Sequence, residues 1–212
     1  TASGKVSKGG GISPSEFPAD YVDDYRASQS LLPLSTPVVW WRAPGASTMA
    51  WVQQSFLHEV AVAAGRDHVE FLLELFGRRT GQAAPPAAGL DPDRAIGVIK
   101  LAADKAGWGK PLPKGHHLGL AFYFSHLAHI AEVAEVSVDA SKKVTVHRVT
   151  VAADVGPVIN LSAAENQCEG SVVDAIGTMA LEVTIEDGAA QQTNFDRYPL
   201  PRMAISPQVD VH

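Results

Sequence analysis

The sequence predicts an α+β fold: a helical N-terminal half, then a β-meander with hairpins and one inserted helix. Three observations point to it. Apolar residues recur at helical spacing in three segments before Gly107. From His117 onward the apolar period shortens to alternation, in valine-rich runs bounded by turn residues. A single capped helical pattern near 160–180 interrupts those runs. Helices first and strands later, with one helix inserted, is the order expected of an α+β domain.

Residues 1–30 read as loosely ordered, because Gly9-Gly10-Gly11 is a flexible tract and Pro14 and Pro18 interrupt any helix. The glycine triplet lacks the lysine and the preceding strand of a phosphate-binding loop. Order is expected from Leu31, giving a domain over 31–212 with a sub-boundary near 80–90. Val38-Val39-Trp40-Trp41 is a short β-prone run ending at Arg42, and Pro44-Gly45 turns the chain. Ser47 is positioned to cap a helix over 48–64 whose apolar face is Trp51, Val52, Phe56, Val60 and Ala63. Gly65 stops it. Asp67 caps a second helix over 68–76, carrying Phe71, Leu72 and Leu75.

The stretch 80–89 is rich in Ala, Pro and Gly and reads as a linker. Asp91-Pro92-Asp93 starts a third helix, with a capping acid, a first-turn proline and an acid beside the positive end of the dipole. Strands are predicted over 118–124 and 130–138, then through Val144, Val146, Val149 and Val151, with a turn at 139–142. Ser162 and Glu165 form a capping box for the inserted helix, whose apolar stripe is Ala164, Cys168, Val172, Ala175 and Met179. Residues 181–195 read as a hairpin around Asp187-Gly188, and 198–212 as an extended tail.

Composition narrows the function classes. The formal charge is −6, and no basic stripe offers a grip on phosphates, so nucleic acid is not the expected partner. One cysteine, Cys168, excludes an internal disulfide and an iron–sulfur cluster held by this chain alone. No apolar run is long enough to span a bilayer. Residues 1–11 are small and polar, so no signal peptide is expected there. His126 and His129, three apart on a predicted strand, point to opposite faces, and neither HExxH nor CxxC occurs, so no protein-ligated metal is expected. No G-x-S-x-G elbow supplies a serine nucleophile. Cys168 sits on an apolar stripe and reads as a small core residue.

Two segments carry candidate chemistry. In Trp40-Trp41-Arg42-Ala43-Pro44-Gly45, aromatics flank a cation and the chain turns at once into a helix N-terminus. Such a turn can present amide donors and a guanidinium to one anionic ligand. It can equally be an aromatic plug over the core with Arg42 in a salt bridge. Gln167-Cys168-Glu169-Gly170 places two polar side chains early in a helix and a glycine where a bulky group can approach. The plainer alternative is a solvent-facing helix start.

Taken in order, these segments resemble the large subunit of the molybdenum hydroxylases, in the subgroup of isoquinoline 1-oxidoreductase and related aldehyde dehydrogenases. The residues that carry the resemblance are Trp41-Arg42-Ala43-Pro44-Gly45, Ser55-Phe56-Leu57-His58-Glu59-Val60-Ala61, Ala64-Gly65-Arg66-Asp67 and Gly107-Trp108-Gly109-Lys110-Pro111-Leu112-Pro113. It continues through Ala134-Glu135-Val136-Ser137-Val138, Val146-His147-Arg148-Val149, Asp154-Val155-Gly156-Pro157-Val158-Ile159-Asn160 and Gln167-Cys168-Glu169-Gly170. Asn194-Phe195-Asp196, Tyr198 and Pro201-Arg202-Met203 complete it.

The resemblance implies part of a molybdenum-cofactor-binding domain. The cofactor is a molybdopterin, as the cytosine dinucleotide, and the substrates are aldehydes or N-heterocycles hydroxylated with water-derived oxygen. It places Trp41, Arg42, Ala43 and Gln167 against the cofactor. The implied partners are the remainder of the large subunit, a small iron–sulfur subunit and a cytochrome subunit. The family's catalytic Glu is expected beyond His212, so no catalytic residue is expected in this chain. The glycine-rich segment that reaches the metal is expected before Thr1, and His58 stands where relatives often carry Asp. The chain is therefore expected to be an inactive piece of a longer subunit that by itself binds no cofactor. A non-catalytic binding or structural module that kept the fold is the competing expectation. The compartment is not implied.

Overall fold

The computed structural model describes residues 12, 17–30, 42–81 and 89–212. The β-prone run 38–41, the glycine tract 9–11 and most of the Ala/Pro linker lie outside the described residues, and so does Trp41. Two compact units emerge: Thr1–Gly97 with Phe122–His129, and Val98–Ala121 with Ile130–His212.

The first unit contains α1 (Ala46–Ala63) and α2 (His68–Gly77). Gly65, at φ +64°, ends α1 and lets the Arg66 N–H reach back to the Ala61 carbonyl at 2.9 Å. Asp67 caps α2 as expected, its carboxylate accepting from the Glu70 N–H at 3.0 Å. The predicted inner face of α1 is overturned. Gln53, Gln54, Leu57 and Ala61 are the buried set, while Trp51 and Phe56 remain 69% and 62% exposed. Residues 54, 57 and 61 also share a helical face. Gln54 is held there because its Oε1 accepts the Phe122 N–H at 3.0 Å, a backbone donor that burial would otherwise orphan. Ser47 is not the cap of α1. The cap position is Gly45, and the Ser47 hydroxyl turns back to the Ala43 carbonyl.

Phe76 organises this unit's core. Its ring stacks on Phe17 at 5.1 Å and meets Tyr21 and Phe122 edge-on at 5.2 and 5.0 Å. Part of the segment expected to be loose, from Phe17 to the short 3-10 turn Ala19–Tyr21, thus packs on α2. His129 is fully buried beside Phe124, and its Nε2 accepts the Asp91 N–H at 2.9 Å. That histidine is a core residue whose Nε2 holds a backbone donor. His126 lies in the turn before it, at φ +52°, and not on a strand.

Next along the chain is α3 (Pro92–Ala106), started by Asp91, whose Oδ1 accepts from the Asp93 and Arg94 N–H groups. Then follow β1 (His116–Ser125), β2 (Ala128–Val138), β3 (Val144–Asp154), α4 (Leu161–Ala180), the two-residue strands β4 (Ile185–Glu186) and β5 (Ala189–Ala190), and β6 (Gln208–Val211). The larger sheet runs β1-β2-β3-β6. Positive φ at His126 and Leu127 gives the β1–β2 turn the twist that hairpins favour. The division between the units falls within α3, β1 and β2.

The tail corrects the sequence expectation of a plain extended segment. It holds a 3-10 turn, Met203–Ile205, and then β6, which pairs parallel to β3 with Val149 opposite Val209 and Val151 opposite Val211. In the second unit Val149, Val151 and Val172 form a buried core. Ile130, Ala134, Val146, Ala153, Cys168, Ile176, Val209 and Val211 pack around it. Thus α4 lies on the sheet through Cys168, Val172 and Ile176. Ala175 and Met179, placed on the apolar stripe by spacing, are exposed, Met179 by 81%. On the other face, Glu135 accepts from His116 at 2.7 Å and pairs with Arg148 at 3.5 Å, and Arg148 also donates to the Ala106 carbonyl at 3.1 Å. A cation at the last turn of α3 offsets its negative end.

Gly177 marks where the tail crosses α4. A Cβ there would stand 2.7 Å from Cγ of Pro201. Alanine gains about 0.5–1 kcal/mol of helix propensity over glycine, but overpacking a rigid ring costs about 1–3 kcal/mol. Gly177→Ala should therefore lower stability by about 1 kcal/mol in denaturant titration, and a stabilised variant would show that the tail is not held there.

Candidate functional site

Arg42 and Ala43 lie in the first unit, at the entry to α1. Both are exposed. Ala43 adopts φ +48° and Gly45 φ +78°, so the chain reverses sharply and delivers its backbone into the first turn of the helix. The Ala43 carbonyl accepts the Ser47 N–H at 3.2 Å. The Gly45 cap supplies no side-chain acceptor, and the first turn holds no acid. Among the described residues no side-chain acceptor or first-turn acid stands at this positive end of the helix dipole. A guanidinium beside such an end suits a phosphate or carboxylate chemically.

Gln167 lies in the second unit, on the exposed side of α4. Arg42 with Ala43 thus belongs to one unit and Gln167 to the other. Asn160, rather than the expected Ser162–Glu165 box, caps α4. Its Oδ1 accepts from the Ala163 N–H and from the Ser162 hydroxyl, both at 3.1 Å. With Asn160 occupying the first acceptor position, Ser162 serves as a donor. A Cβ built on Gly170 would meet nothing within 4 Å, so the helix surface beside Gln167 is open.

The electrostatics around α4 differ from those at Arg42. Between Arg148 and Arg197 the sequence has no Lys, Arg or His. Cys168 is partly buried in the apolar core. Its thiol is pushed up by burial first, and then by the carboxylates of Glu132, Glu165 and Glu169. It is an inert core residue, as its place on the stripe implied. Glu132 was not singled out from sequence. It occupies β2 between Ile130 and Ala134, on the face that α4 covers, and burial pushes its carboxyl above the usual range. The available signal was a charged residue in an alternating slot flanked by core residues. Among the described residues no group of three His, Cys, Asp or Glu side chains is placed to hold a metal ion.

Comparison with known proteins gives this geometry a context. The profile of the molybdopterin cofactor-binding domain matches residues 97–207. A membrane-bound aldehyde dehydrogenase [pyrroloquinoline-quinone] of Gluconacetobacter polyoxogenes is 31% identical over 182 residues, covering 81% of this chain and 23% of that protein. The beta subunit of the isoquinoline 1-oxidoreductase of Brevundimonas diminuta is 28% identical over 182 residues, covering 84% of this chain and 22% of that protein. A nicotinate dehydrogenase subunit of Pseudomonas putida is 27% identical over 210 residues, covering 89% of this chain and 16% of that protein. The chain thus spans less than a quarter of the length of each of these relatives.

The cap of α4 is open to direct test. Asn160→Ala should cost about 1 kcal/mol and fray the first turn, whereas Ser162→Ala should change stability by much less. Thermal unfolding of the two variants decides between them, and a larger loss at Ser162 would restore the capping box.

Proposed function

Because the chain belongs to the molybdopterin cofactor-binding domain family of the molybdenum hydroxylases, we propose that it supplies part of the cofactor site of an enzyme oxidising aldehydes or N-heterocycles. The observation that carries the proposal is the uncapped, acid-free N-terminus of α1 with Arg42 and the Ala43–Gly45 turn beside it. That donor set fits the pyrophosphate of a molybdopterin dinucleotide, in the cytosine form. When bound, the molybdenum–pterin group supplies the transfer of water-derived oxygen and takes up two electrons from substrate. Arg42 offers a planar fork to phosphate oxygens. The backbone N–H groups of Trp41 and Ala43 complete the contact on this proposal.

Gln167 takes a different part. Glu165 and Glu169 flank it, and no base occurs between Arg148 and Arg197, so its surroundings repel phosphate. A carboxamide both donates and accepts, which suits the neutral pterin edge. The name of the aldehyde dehydrogenase relative carries pyrroloquinoline-quinone. The molybdopterin assignment follows instead from the domain profile that matches this chain's own residues.

The electrons leave through other chains on this proposal: a small iron–sulfur subunit and a cytochrome subunit. Support comes from the single cysteine here and from relatives named as subunits. The base of the reaction lies outside these residues, within the longer protein. Only two segments here carry candidate cofactor contacts, which supports the view that the 212 residues alone retain no molybdenum and turn over no substrate.

In the holoenzyme, Arg42→Ala should weaken cofactor retention by about ten- to a hundredfold, the worth of a charged hydrogen-bonded contact. Arg42→Lys should recover only part of it. Elemental molybdenum per protein measures this, and full occupancy in the alanine variant would reject the role. Gln167→Ala should lower turnover per bound molybdenum and leave the melting temperature unchanged. A large fall in melting temperature with normal turnover per molybdenum would make Gln167 structural.

A further inference from the structure

Among the described residues, Glu132 is a partly buried carboxyl at the edge of the contact between α4 and the sheet. Strand alternation puts it on the same face as Ile130 and Ala134, both of which pack on the Val149, Val151 and Val172 core. The groups around it are few. From α4 come Cys168, with Glu165 and Glu169 close enough to act on the same thiol as Glu132. The neighbouring strand β3 turns Val149 and Val151 to this face, and β6 turns Val209 and Val211. On β1 the face opposite Leu120 and Phe122 carries His117, Gly119, Ala121 and Tyr123. The base-free stretch from Arg148 to Arg197 means that no cation from α4 or its flanking loops can neutralise a charge there.

We propose that Glu132 is a proton-operated latch beneath α4: while its carboxyl is neutral the helix rests on the sheet, and when the carboxylate forms the first turns of the helix loosen. The physical reason is solvation. A neutral carboxyl costs little between Ile130 and Ala134, whereas a carboxylate must be hydrated or paired. The core residues above it on α4 and beyond it on β3 are apolar, His117 and Tyr123 lie on the β1 side, and the nearest charged groups on α4 have the same sign. Hydration is obtained by admitting water under the N-terminal half of α4, ahead of the contacts that Cys168 and Val172 make with the sheet. Burial as the sole cause of the upward shift of Glu132 agrees with this arrangement.

The sign follows from linkage. The folded chain holds this proton more tightly than the unfolded chain, so the contribution of Glu132 to stability is complete in acid and is lost as pH rises through its folded-state titration. The consequence for Gln167, which rides on those turns, rests on the cofactor role proposed above. The latch itself does not.

Amide hydrogen exchange on the 212-residue chain tests it, read over residues 161–172 against β3 and corrected for the intrinsic rate. Protection of α4 should fall as pH rises beyond the ordinary carboxylate range, because burial pushes the Glu132 carboxyl upward. The opening constant should rise by at most about tenfold per pH unit, as for one proton. Glu132→Gln should hold α4 at its acid-state protection throughout. If Gln destabilises the chain, Glu132→Leu should give the same flat profile. A flat wild-type profile, or a wild-type slope retained in either variant, would overturn the latch. Gln167→Ala in the same measurement should keep the wild-type pH response. Normal turnover per molybdenum for Gln167→Ala in the holoenzyme would then fail the cofactor role and leave the latch standing.

Discussion

α4 is held to the sheet by one narrow apolar contact. Cys168, Val172 and Ile176, spaced along one side of the helix, meet Val149 and Val151 of β3 and Val209 and Val211 of β6. Burying each such side chain is worth about 1.5–3 kcal/mol, which is modest for a helix of 20 residues. The remaining structure of the second unit is arranged around that contact. The parallel pairing of β6 to β3 widens the apolar floor, with His212 exchanging backbone hydrogen bonds with Val151 and Ala153. Pro201 closes on Gly177, where a side chain would not fit. Asn160 sets where the helix starts, and hence which way Gln167 faces.

Charge divides the candidate cofactor contacts into two kinds. At the entry to α1, a guanidinium stands beside a helix N-terminus that has no side-chain cap and no acid in its first turn. Along α4 the flanking side chains are Glu165 and Glu169, and the only uncharged hydrogen-bonding groups at its exposed start are amides and a hydroxyl. Along α4, like charge opposes an anionic ligand group. The same base-free stretch brings no cation from α4 to Glu132.

Histidine and glutamine show how tertiary contact reassigns residues whose chemistry invites a functional role. His129 accepts a backbone N–H from Asp91 inside an aromatic core. Gln54 accepts one from Phe122. In both cases a backbone donor is held by a side chain from a distant part of the chain. His116 is drawn into the Glu135–Arg148 pair that reaches the end of α3.

From the sequence alone it was legible that helices precede strands, that Asp67 and Asp91 begin helices, where the hairpins turn, and that Cys168 belongs to a core stripe. These are local matters: caps, turns and short periodicities depend on residues within a few positions of one another. The ordered motifs also carried the family resemblance, and with it Arg42 and Gln167 as candidates. Three things needed the folded chain. The buried face of α1 is Gln53, Gln54, Leu57 and Ala61 because Phe122, far along the chain, presents an N–H to Gln54; hydrophobicity by itself favoured the side bearing Trp51 and Phe56. β6 exists because β3 offers a parallel edge to four residues whose own pattern is too short to declare a strand. Glu132 matters because α4 comes to lie over it, and burial of a charge is a property of what covers a residue, which no local pattern records.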